Sequence, residues 1–222
     1  MFDFAQVAQI TWKDGIQLLH GIRITLSVTL ISIVLGTILG TILGLIRCSR
    51  NKIVSAAPLI LIEPLRNSPL MVQLFMIYFG LPLVTRIMLD AYPAAVIALS
   101  LNTAAFFAVL VHSSIKAVPE MQWQAGFALG HSRLSTFITI IARQAIRILI
   151  PAAITLYLGQ LQSSSLVALI GLRDLTRTGE LITIRTMRPF LVLSIVFALY
   201  YIISAPLARL AKKLEKKAGF SY

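Results

Sequence analysis

Charge is scarce in this chain. Only 13% of its 222 residues are Asp, Glu, Lys or Arg, against about a quarter in an ordinary soluble domain. Acidic residues number 8. Cysteine occurs once, at Cys48, so no internal disulfide can form and redox compartment is not readable. No basic segment with a small-residue cleavage site opens the chain; Asp3, Lys13 and Asp14 are mixed with scattered apolar groups. Catalytic patterns are missing as well: no paired carboxylates within an apolar run, no His-Glu-x-x-His, no Gly-x-Ser-x-Gly and no phosphate-loop lysine. The three histidines, His20, His112 and His131, lie in different segments. Together these absences exclude a disordered chain, a disulfide scaffold and a water-soluble enzyme.

What is there is apolar. Hydrophobic residues make up 58% of the chain, and the mean hydropathy is +0.87. A helix crossing the hydrocarbon layer needs about 20 residues. Five stretches free of Asp, Glu, Lys and Arg qualify, at about 24–46, 67–85, 91–115, 148–172 and 189–208. A sixth, 53–62, is too short to span and is expected in the interface or as the extension of a neighbouring helix. The reading is an all-α integral membrane protein, a single transmembrane domain over 1–222, with a long loop at 116–147. Pro69, Pro93 and Pro151 sit near the beginnings of spans, where a missing N–H costs little. Pro82 and Pro206 fall late in theirs, where they kink or terminate a helix.

The formal charge is +12. In a soluble chain that excess would point to nucleic acid; between membrane spans it is topogenic, so no nucleic-acid partner is expected. With five spans and the C-terminus inside, the inner segments 47–66, 116–147 and 209–222 carry 13 Lys and Arg against 7 in the outer ones. This orients the N-terminus outside and the C-terminus in the cytosol. Segment 173–188 runs against the rule, with four basic residues on the outer side.

Inside the spans, Gly36, Gly40 and Gly44 repeat at four-residue spacing, placing them on nearly one helix face where backbones can approach closely. That face serves either a contact within the fold or a subunit interface. Charge that could relay protons or couple ions is almost absent; only His112 qualifies, near the inner end of the third span. The fourth span is polar at its middle, with Gln160, Gln162, Ser163, Ser164 and Ser165 in succession. Facing lipid, these groups would go unmet, so they either bond between helices or line a path for a polar solute. Asn102 and Gln73 are candidates for the same path. No residue set suits a metal or cofactor.

The loop 116–147 has its own order. After Pro119 a helix is expected through Leu129, stopped by Gly130. Ser132 can cap a second, whose Leu134, Phe137, Ile138 and Ile141 fit a helical stripe. Gln124-Ala-Gly-Phe-Ala-Leu-Gly130, with Ile148-Leu-Ile-Pro151, resembles the E-A-A-x3-G loop of bacterial ABC importer permeases. Glu63-Pro-Leu-Arg-Asn-Ser-Pro-Leu70 and Val72-Gln-Leu-Phe-Met-Ile-Tyr-Phe-Gly-Leu-Pro82 resemble the polar amino acid branch of that family. Ala98-Leu-Ser-Leu-Asn-Thr-Ala-Ala105 and Leu166-Val-Ala-Leu-Ile-Gly-Leu-Arg-Asp-Leu-Thr-Arg177 do so too. The resemblance covers about residues 18–217.

It implies a type I ABC importer permease in a bacterial inner membrane, taking up polar amino acids or similar solutes by alternating access. The implied partners are a second permease, two ATPase subunits that carry the ATP and Mg, and a periplasmic or tethered solute-binding protein. Gln124, Ala125, Gly126 and Gly130 would form the helix that couples to the ATPase. Asn102, Gln160, Gln162, Ser163 and Ser164 would belong to the solute path. The chain departs from the pattern at five places. Gln124 stands for the loop glutamate, Gly126 for its second alanine, and Arg143 for a proline usual in the second loop helix. In the spans, Val109 stands for an acidic residue and Gln162-Ser-Ser-Ser165 for K-D-T-S. Without that acid, three readings remain: the non-binding half of a heterodimer, a solute read by neutral hydrogen bonds, or an acidic solute. The rivals are an importer of a non-amino-acid solute and a self-contained channel or carrier.

Overall fold

A computed structural model describes residues 10–217. Asp3, and with it the start of the segment assigned to the outer side, lies outside the described residues. Every regular element among these residues is helical: α1 (Trp12–Ile46), α2 (Lys52–Ala56), α3 (Leu59–Asn67), α4 (Leu70–Phe75), α5 (Leu81–Thr85), α6 (Ala91–Lys116), α7 (Glu120–Ala128), α8 (Arg133–Thr136), α9 (Ala142–Ser163), α10 (Leu175–Thr186) and α11 (Pro189–Lys217). Wide π-turns occupy Met76–Gly80 and Phe137–Ile141, and a tight 3-10 segment runs over Ser164–Ile170.

Four helical runs are long and apolar enough to cross a membrane: Trp12–Ile46, Ala91–Lys116, Arg133–Ile170 and Pro189–Leu214. A fifth crossing arises if the bent pair Lys52–Asn67 and Leu70–Thr85 counts as one. The break falls at Ser68, whose extended backbone (φ −111°, ψ 147°) is what a following proline, Pro69, imposes. The second candidate span therefore begins at a 107° bend after Asn67 and is helical from Leu70 to Thr85. Within it Leu81 N–H reaches back to the Met76 carbonyl. This π-turn lies just before Pro82, which has no N–H to give. The first span also begins earlier than its apolar stretch, because Lys13 and Arg23 mark where hydrocarbon ends without stopping a helix.

The chain folds into two compact units, each assembled from three separate segments. The first comprises 1–33, 69–100 and 159–206. Its core joins Val28 of α1 and Leu74 of α4 with Ala94, Ala95, Ala98 and Leu99 of α6 and Val167 and Ile170. A second cluster packs Leu18 against Leu175, Ile182, Val192 and Val196. A Cβ on Gly21 would lie 2.9 Å from Leu175 Cα, so α1 and the start of α10 touch backbone to backbone. There Leu175 N–H donates to Thr25 Oγ1 at 3.1 Å. Asp14, buried at the start of α1, accepts from Arg185 at 2.6 Å.

The second unit comprises 34–68, 101–158 and 207–222. Here the glycine stripe of α1 meets α6. A Cβ on Gly40 would stand 2.7 Å from the Ala104 carbonyl, and one on Gly44 2.7 Å from the Ala108 carbonyl. Gly36 is buried too. The contact made by Gly40 and Gly44 is thus internal to the fold, which is where lipid, as apolar as leucine, gives no other reason for helices to adhere. Tyr157 of α9 closes the unit, sharing a 2.7 Å hydrogen bond with Thr37 and stacking on Phe107.

Gly44→Leu is expected to destabilise the folded protein in detergent by about 1–3 kcal/mol or more through overpacking. Gly159, which has open space at its Cβ, should accept Ala with no loss. Equal thermal midpoints for the two variants would remove the close-packed seam as a stabilising contact.

Candidate functional site

Two places carry side chains that helix packing alone does not use. The first is α7 with α8, the opening turn of the run Arg133–Ile170. Pro119 starts α7 without a side-chain cap. Its end is closed by His131 N–H to the Gly126 carbonyl (3.1 Å) and Gly130 N–H to the Phe127 carbonyl (3.0 Å). That pairing needs a left-handed residue between, and Gly130 supplies it at φ +77°. Ser132 then caps α8 by accepting from Ser135 N–H at 3.3 Å. Gly126 is buried, and a Cβ there would stand 2.4 Å from Thr136 Cγ2. The glycine in place of the resemblance's alanine is therefore what lets α7 lie against Thr136.

Gln124 and Ala125 face outward. So do Met121 (73% exposed), Leu129 (75%) and Leu134 (69%), apolar side chains on helices that lie beyond the spans drawn from the sequence. Behind them Trp123 packs with Phe137 and Ile141, and Arg133 lies over the Trp123 ring at 5.6 Å. The structure thus divides the four predicted coupling residues: Gln124 and Ala125 are presented, Gly126 and Gly130 shape the presentation.

The second place is the polar stretch at the end of α9. Gln160 is buried and donates from Nε2 to the Leu99 carbonyl at 3.0 Å. Ser164 is buried and donates to the Leu161 carbonyl at 2.7 Å. Both are absorbed by helix bonding and not presented to a path. Asn102 is also buried, with a bonding partner. Gln162 and Ser165 differ: they line a cavity of about 350 Å³ with Phe197, Tyr200, Tyr201 and Ser204. Ser163 is half-buried beside them and is not among the lining residues. No charged residue lines this cavity.

The sequence reading missed the contribution of α11. Two adjacent tyrosines with a serine four residues on, inside an otherwise apolar span, were the available signal. It also missed Asp174, fully buried. This carboxylate caps α10 through Arg177 N–H at 2.8 Å and accepts from the Tyr200 hydroxyl at 3.3 Å. Tyr200 in turn shares a 2.9 Å bond with Thr176. One wall of the cavity is therefore held by a buried acid. Burial pushes the Asp174 carboxyl up to about 6, against the opposing pull of the backbone N–H groups of Arg177 and Thr176 and of Tyr200. A helix N-terminus favours the anion, but desolvation outweighs it. Among the described residues no group of His, Cys, Asp and Glu could hold a metal ion.

Because the folded carboxyl titrates near 6 and an unfolded one near 4, the folded state binds the extra proton between them. Stability is present below that window and falls as pH rises through it, by about 3 kcal/mol in all. Asp174→Asn keeps the cap and removes the ionisation, so its thermal midpoint should lose that slope between pH 4.5 and 7. An identical slope in both proteins would show that Asp174 does not titrate there.

Comparison with known proteins adds a separate line. Residues 25–218 match the family described as binding-protein-dependent transport system inner membrane component. The L-cystine transport system permease protein TcyB of Bacillus subtilis (strain 168) is 32% identical over 198 residues, 89% of this chain and 84% of the relative. The glutamine transport system permease protein GlnP of Escherichia coli (strain K12) is 29% identical over 217 residues, 97% of each. Among solved structures, one described as an amino acid ABC transporter with histidines superposes with a TM-score of 0.86 at 29% identity, covering 98% of this chain and 99% of that one. An inward-facing form of the MetNI methionine ABC transporter shares the fold at 19% identity, with a TM-score of 0.73 over 92% of this chain and 99% of that one.

Proposed function

This chain belongs to the binding-protein-dependent transport system inner membrane component family, and from that premise we propose that it is the permease subunit of an ATP-driven importer of amino acids. The relatives named for cystine and glutamine transport support that solute class. One observation carries the mechanism: Met121, Leu129 and Leu134 are exposed on two short helices fixed by Gly130. Apolar side chains displayed on a rigid, small-residue helix suit a groove on a partner chain. In this reading the partner is an ATPase, of which two bind the cytoplasmic face and hold the ATP and Mg. Their closure rocks a pair of permeases between inward- and outward-open states.

Gln124 to Gly130 form the coupling helix. The C-terminus lies in the cytosol of a bacterial inner membrane, and a solute-binding protein delivers to the opposite face, where the N-terminus lies. The chain itself is not an enzyme and binds no cofactor. Solute passes the uncharged cavity lined by Gln162 and Ser165, with Ser163 between them in the chain but not on its wall. Gln160 and Ser164, buried and hydrogen-bonded in the same unit, hold the helix that carries these residues. An uncharged wall gives no ion pair to an ammonium group, which favours a heterodimer whose other permease keeps the acidic residue at the position of Ser163.

The combined variant Met121→Asp and Leu129→Asp should insert and fold normally, yet reduce binding-protein-stimulated ATPase activity of the complex at least tenfold, as loss of two buried anchors at about 1.4 kcal/mol or more would. Undiminished stimulation would argue against this surface as the coupling contact.

Purification of tagged protein from native membranes, followed by mass spectrometry, should recover an ATPase and a second permease with an acidic residue aligned to Ser163. Recovery of an ATPase with this permease alone would establish a homodimer and move the solute search to molecules read without a carboxylate. Recovery of no ATPase would remove the importer reading.

A further inference from the structure

The second unit contains a larger cavity, of about 1110 Å³, whose cluster of basic side chains the transport reading does not use, although Leu134, assigned above to the ATPase contact, is among its lining residues. It lies where α1 and α6 end, between their last residues and the helices α7 and α8. Arg47, Arg50, Lys116 and Arg133 line it against a single carboxylate, Glu120. The formal excess is three positive charges. The C-terminal ends of α1 and α6 oppose it with about half a negative charge each, which leaves roughly two positive charges unanswered. None of the four cations has an ion pair among the described residues, where the pairs are Arg177–Glu180 and Arg185–Asp14. Arg47 goes further: its Nε is buried with no hydrogen-bond partner, a donor that ordinarily finds an acceptor.

The rest of the wall is mixed: Leu45, Ile115, Val118, Trp123 and Phe137 are apolar, beside Ser49, Ser55 and His112. Arg47 and Lys116 also mark where the apolar runs of α1 and α6 give out, so the cavity sits at the hydrocarbon boundary. We propose that this cavity binds the phosphodiester headgroup of an anionic phospholipid, with Arg47, Arg50 and Lys116 on the phosphate and the apolar wall along the glycerol and first acyl carbons. The mixed lining separates this from a site for free phosphate, which has no use for five apolar side chains. Basic pockets at the ends of membrane helices suit such headgroups.

The test uses the purified transport complex, exchanged into phosphatidylcholine and then equilibrated with vesicles of phosphatidylcholine containing one part in five phosphatidylglycerol. Lipid retained per complex is counted by native mass spectrometry. The wild-type complex should retain phosphatidylglycerol over phosphatidylcholine, and Arg50→Gln with Lys116→Gln should cut that preference about tenfold or more. Both side chains are exposed, so folding is spared; Arg47→Lys, keeping charge but losing the guanidinium, should cut it less. Arg143→Gln with Arg147→Gln, outside the cavity, should leave it intact. Equal retention in the wild type and the cavity variant overturns the proposal. So does a wild type without preference, or saturation by inorganic phosphate that displaces the lipid, which would assign the cavity to a soluble anion.

Discussion

The close approach of α1 to α6 is the contact on which the second unit depends. Between helices in hydrocarbon there is no water to expel, so adhesion comes from dispersion at short range and from hydrogen bonds. Gly40 and Gly44 bring the α1 backbone onto the Ala104 and Ala108 carbonyls with no room for one more carbon. Alanine is used for the same purpose along α6, where Ala94, Ala95, Ala98, Ala104, Ala105 and Ala108 are all essentially inaccessible. What small residues cannot do is meet polar groups, and those are satisfied separately: Thr37 by Tyr157, Gln160 by the Leu99 carbonyl, Leu175 N–H by Thr25. Packing and polar satisfaction are thus divided between residue types.

The apolar spans were legible because length and lack of charge are one-dimensional properties. The bounds of α7 and the cap of α8 were legible too, since a proline start, a glycine stop and a serine cap act on their own neighbours; that α8 is the first turn of the run Arg133–Ile170 and not a separate loop helix was not. The break at Ser68–Pro69 falls at the drawn start of the second span, where Pro69 was read as a beginning; the 107° bend to the preceding helix Lys52–Asn67 was not legible. Counting charges finds where hydrocarbon ends, not how the chain bends there.

The polar stretch of α9 was less legible, because the question it poses is rotational. Five polar residues in six cannot all face one side, and the sequence names none as the inward ones. Tertiary neighbours decide: Gln160 and Ser164 turn into helix bonding while Gln162 and Ser165 meet a cavity. The turn to 3-10 geometry at Ser164 also changes the angular step between residues, so a face read with one helical period does not carry through. Asp174 escaped notice for a related reason. An acid between spans reads as a solvated loop charge, and only the fold shows it capping α10 under Tyr200.

The interleaving of the two units has a consequence for how the protein is made. Segments alternate between them from one end of the chain to the other, the first unit taking its last piece from 159–206 and the second from 207–222. Neither unit is complete on the ribosome until the final helix has been translated. A nascent chain released before α11 therefore carries two unfinished cores rather than one finished domain, with Asp174 lacking the Tyr200 hydroxyl. Premature termination anywhere before α11 leaves quality-control proteases with no stable half to spare.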